Sequence, residues 1–115
     1  IRFAAVCDQN GEILWNTKRN NVKNMVPLAD TKKTLQRAVN AWNERSNIEG
    51  LVGKGIYVIA AYEKIKRITI PLGGKHILFV SIDNPKLKAS NKKSYGQLVE
   101  MGKIMSIVDF VNSTN

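Results

Sequence analysis

Residues 56–82, IYVIAAYEKIKRITIPLGGKHILFVSI, decide the architecture of this chain. The first run, Ile56 to Tyr62, is β-branched and aromatic, the composition of a well-packed strand. A tight reversal around Glu63 to Ile65 leads into a second strand over about 66–70, where Ile68 and Ile70 alternate with polar residues. Pro71 and Gly73-Gly74 should end that strand and turn the chain again. Ile77 to Ile82 is apolar almost throughout, which suits a strand in the middle of a sheet. The connections are too short for crossovers, so these three strands must be antiparallel neighbours.

Upstream, Ile1 to Cys7 is another apolar run with little alternation, as expected of a strand buried on both faces. Asn10-Gly11 is a strong hairpin signal, so strands are expected over about 1–8 and 11–16. Residues 17–29 are polar and basic, with Pro27 as a breaker, and read as a loop. Asp30 or Thr31 is placed to cap a helix running to about Asn47, with Leu35, Ala38, Val39 and Trp42 on one apolar stripe. Gly50, Gly53 and Gly55 then punctuate a loop. A phosphate cradle needs a strand before the glycines and a helix after them, and here the order is reversed. A second helix is expected over about 94–111, with Ser94 as its cap, Leu98, Met101, Met105 and Val108 as its stripe and Ile104 and Val111 beside it.

Chemistry is harder to place. Cys7 and His76 each occur once, which leaves no internal disulfide and no Cys- or His-rich metal site. Asp8, Glu12, Glu63, Asp83, Glu100 and Asp109 are scattered, without the spacing of a carboxylate pair. No serine sits in a nucleophile elbow. We therefore expect a protein that is not an enzyme and holds no cofactor or metal. The longest apolar run is far short of the roughly 20 residues of a membrane span. A lone cysteine makes a reducing cytoplasm the simplest compartment.

The charge is unusual. Eighteen Lys and Arg face nine Asp and Glu, a formal net charge of +9, which favours acidic partners. Lys64, Lys66 and Arg67 are the densest basic group within the strands and lie beside Tyr62, a combination that can contact phosphates and stack on bases. They are the candidate anion or partner contacts. The plainer reading puts Lys64 and Lys66 in an exposed reversal, where charge also discourages edge pairing. Lys86, Lys88, Lys92 and Lys93 form a second, less specific group.

Two strands, a helix, three strands and a closing helix make an α+β protein with a five-stranded antiparallel sheet. This order resembles the roadblock/LC7 and profilin-like group, and equally the PAS and GAF-like sensor modules. Ile1 to Val6, Tyr62 to Leu72 and the Gly53-Lys54 approach to the third strand more closely resemble a family of unknown function among the small proteins of ammonia-oxidising archaea (Thaumarchaeota). Members of that family carry a helix before the first strand. The resemblance thus implies a single domain over 1–115 lacking an N-terminal helix, with one sheet face incompletely covered.

Three functions follow as expectations. A roadblock-like interaction module would form a homodimer or dock a signalling protein such as a small GTPase. A PAS-like sensor would hold a small ligand under the loop from Thr17 to Ala29. Nucleic-acid binding through the basic surface comes third.

Overall fold

The computed structural model describes residues 1–20, 23, 25–84 and 101–114. Five strands form one antiparallel sheet: β1 (Phe3–Cys7), β2 (Ile13–Lys18), β3 (Val58–Ala61), β4 (Ile65–Leu72) and β5 (His76–Asp83). Their spatial order is β2-β1-β5-β4-β3, so the apolar strand expected at the centre is central. Helix α1 (Leu28–Arg45) lies on one face and α3 (Met101–Thr114) on the other. A short helix, α2 (Glu49–Val52), follows α1 through a 3-10 turn, Ser46–Ile48.

The first hairpin forms where Asn10-Gly11 announces it. Gly11 has φ of +78°, a conformation costly for any residue with a side chain. The Asp8 carboxylate accepts hydrogen bonds from the backbone N–H groups of Asn10 and Glu12 at 2.9 and 3.0 Å, which locks the turn. A register shift between Val6 and Cys7 sets Ile13 opposite Cys7 and Trp15 opposite Val6, so these two side chains serve opposite faces.

Several expected boundaries move. Helix α1 starts at Leu28 and not at Asp30 or Thr31, because Pro27 supplies the entry: its carbonyl accepts from Asp30 and Thr31 N–H at 3.0 and 3.1 Å. No side chain caps the helix. Asp30 acts instead as an acidic group in the first turn, favourable to the helix dipole. The glycine segment is partly helical, since α2 closes only at Gly53, with φ of +91°. Strand β4 continues through Pro71 to Leu72. Its neighbour β3 begins at Val58, opposite Thr69, so no strand runs beside Pro71 on that side and its missing N–H breaks no ladder bond. The expected start of the last helix, 94–100, lies outside the described residues. Within α3 the buried stripe is Ile104 and Val108, with Met105 only at its margin.

Strand alternation splits the interior into two cores. Phe3, Ala5, Cys7, Ile77 and Phe79 meet Leu35, Val39 and Trp42 of α1. Ala4, Ile68, Ile70 and Val80 meet Ile104 and Val108 of α3. Trp42 closes the first core. Its indole N–H donates to Thr69 Oγ1 at 3.2 Å, and Arg45 lies over its ring at 5.0 Å. Gly55 packs so closely on the same ring that no Cβ fits there.

Candidate functional site

The three basic residues singled out in the sequence are not brought together. Lys66 and Arg67 are consecutive in β4 and so serve opposite faces of the sheet. Arg67 joins the α1 face, with its guanidinium over the Phe79 ring at 4.9 Å. Lys66 is 2% exposed, not part of an exposed reversal, and its ammonium donates to the Asn84 side-chain oxygen. Burial pushes its pKa below the ordinary lysine value. Asn84 also donates to the Tyr62 and Glu63 carbonyls at 2.5 and 3.1 Å, and its backbone N–H to Lys64 O at 3.1 Å. Lys66 and Asn84 therefore pin the β3–β4 turn from inside. Lys64 alone of the three is exposed.

Antiparallel register gathers other cations at this end of the sheet. The start of β1, the end of β2, the start of β4 and the end of β5 coincide there. Asp83 receives Arg2 at 2.6 Å and Arg19 at 2.7 Å, and Arg2 also donates to the Lys23 carbonyl at 2.8 Å. Burial would raise the Asp83 pKa, but the hydrogen bonds and charges of the two arginines outweigh it and hold the carboxyl below its ordinary value. One carboxylate thus answers two guanidinium groups, while Lys18, Lys23 and Lys64 stay exposed around it. Nothing local in the sequence marks Arg2 and Arg19 as partners of Asp83, because strand pairing across the chain makes the cluster.

Another surface surrounds β3. Leu51 is 88% exposed, Val52 73% and Ile56 61%, with Tyr57 and Ile59 beside them. In sequence Leu51 and Val52 stood among the glycines of an apparent loop, and that placement of apolar side chains was the available signal, while Ile56 to Ile59 were already read as strand. On the α3 side, an apolar furrow of about 400 Å³ runs between the helix and the β1–β2 half of the sheet, walled by Val6, Trp15, Leu78 and Ile107. It holds no converging polar groups of the kind that orient a small ligand. Beneath Met25 and Val26, where a ligand pocket was expected, one space measures about 20 Å³, room for a water, and a more open one of about 430 Å³ adjoins it between Val26, Tyr62 and Arg67.

Cys7 is buried in the α1-face core, and burial, then the charge of Asp8, raise its pKa and keep it a thiol. The His76 Nδ1 lies 3.4 Å from the Gly73 carbonyl. Among the described residues, no three His, Cys, Asp or Glu side chains are grouped to hold a metal.

Comparison with known proteins bears on the fold. No protein-family model matches the chain, and no curated protein matches it. Solved structures do. The gliding protein MglB of Thermus thermophilus superimposes with a TM-score of 0.59 at 13% identity, over 84% of this chain and 70% of that one. MglB of Myxococcus xanthus gives 0.54 at 16% identity, over 89% and 83%. A roadblock/LC7 domain from Streptomyces avermitilis gives 0.54 at 10% identity, over 91% and 84%. At such identities the likeness is one of fold: the chain has a roadblock/LC7-like fold.

Proposed function

We propose that this chain is a non-catalytic interaction module of the roadblock type, which pairs with a second copy along β3 and docks a signalling protein. The observation that carries this reading is the contrast between the sheet's two edges. Strand β2 is guarded: it carries Lys18, a bulge interrupts it at Leu14, and the acidic Glu12 precedes it. The stretch 56–62 around β3 has no charge and no proline, and its outer side faces no strand among the described residues. A flat apolar edge of this kind is a template for pairing with another chain. Leu51, Val52 and Ile56 extend it into an apolar surface beside α2. The partner class implied by the roadblock resemblance is a small GTPase, and an archaeal, cytoplasmic setting belongs to the same reading. One related structure is described as MglB with a tetrameric arrangement, which supports self-association as a property of this fold.

Light scattering at tens of micromolar tests the reading. A dimer is expected, and the double variant Leu51→Asp/Ile59→Lys should return it to monomer with unchanged circular dichroism. A wild-type chain that is strictly monomeric would sink the proposal.

A further inference from the structure

We propose that the basic end of the sheet is a docking face for an anionic membrane surface, on which the protein lies without crossing the bilayer. It meets the β3 edge at Tyr62 but does not depend on pairing there. The first support is charge. Lys18, Lys23 and Lys64 are exposed at this end, Arg67 is half-buried beside them, and Asp83 is already engaged by two arginines. A cluster of this kind meets the negative potential of anionic headgroups.

The second support is what stands among the cations. Met25 is 50% exposed, Leu28 47% and Tyr62 56%. Met25 and Val26 border the same narrow space as Arg2 and Arg67, and Tyr62 borders the adjoining one with Lys64 and Glu63, the one carboxylate in that lining. Single-stranded nucleic acid would use aromatic rings for stacking. Among the described residues at this end only Tyr62 offers an exposed one, and the aliphatic chains of Met25 and Leu28 would gain nothing from bases. Aliphatic side chains set among lysines fit the boundary between headgroups and acyl chains, where both groups find partners. Among the described residues no helix is long and apolar enough to cross a membrane, so the contact is interfacial.

Co-sedimentation with vesicles tests this. The whole chain should bind phosphatidylcholine vesicles containing about a third phosphatidylglycerol, ignore pure phosphatidylcholine, and release as salt rises. Lys23→Glu/Lys64→Glu should lower partitioning by roughly a hundred-fold. Met25→Ser/Leu28→Ser should lower it by about ten-fold. All four positions are exposed, and circular dichroism checks that the variants fold. Equal binding to neutral vesicles, or none to either kind, would overturn the proposal. So would charge-dependent binding of a single-stranded RNA oligonucleotide in place of vesicles. Light scattering on the same variants reads the β3 edge independently, so failure here is distinguishable from failure there.

Discussion

The two faces of the sheet are built from the same strands and finished differently. Under α1, an 18-residue helix presents Leu35, Val39 and Trp42, and the core beneath it is closed. Under α3, Ile104 and Val108 seal the β4–β5 half, while among the described residues Val6 and Trp15 of the β1–β2 half line an open furrow. Strands spaced about 4.8 Å apart make a five-stranded face nearly twice as wide as a helix of about 10 Å. One helix cannot cover such a face by itself. On the α1 side the shortfall is met by Trp42 reaching Thr69, by Gly55 lying against its ring, and by Arg2 crossing to Asp83 at the sheet end. Closure is therefore a property of a few long side chains and one close backbone approach.

Three substitutions probe that difference, the largest loss first. Leu35→Ala removes a fully buried side chain from the closed face and should cost about 3 kcal/mol in chemical denaturation. Ile107→Ala, on the open side and 54% exposed, should cost less than about 0.5 kcal/mol. Similar losses at the two sites would mean that the faces are equally closed. Gly55→Ala drives a methyl group into the Trp42 ring and should cost about 2 kcal/mol, with tryptophan emission shifted to the red. An unchanged spectrum would show that the crossover yields and the ring does not seal the core.

A further prediction concerns the clasp at the sheet end. Asp83→Asn should cost about 1 kcal/mol at neutral pH, because solvent screens a carboxylate that is 35% exposed. The folded pKa of Asp83 lies below its unfolded value, so its contribution is complete above the ordinary carboxylate range and is lost as pH falls through the lowered value. The wild-type advantage should therefore fade in acid. A difference between the two proteins that stays constant through that range would show that the arginines do not act on Asp83.

Much of the fold was legible because its signals are local. Hydrophobic runs located all five strands, and Asn10-Gly11 located the first hairpin. Spacing of Leu35, Val39 and Trp42 located the face of α1, since helical periodicity repeats within a few residues. Boundaries were less legible. Pro27 opens α1 and Pro71 sits inside β4, because what a proline costs depends on which neighbour would have needed its N–H.

The candidate contacts divide along the same line. Composition alone determined that the chain is basic, and its single Cys and single His left little from which to build a metal or catalytic site. Only the tertiary structure decided where the charge is usable. Lys64, Lys66 and Arg67 are adjacent in sequence, yet one is exposed, one is buried against Asn84 and one lies over Phe79. A strand's alternation separates neighbours, while antiparallel register joins Arg2, Arg19 and Asp83 from distant parts of the chain. Exposure and partnership are set by which strands pair, and pairing is a property of the whole sheet that no short window of sequence contains.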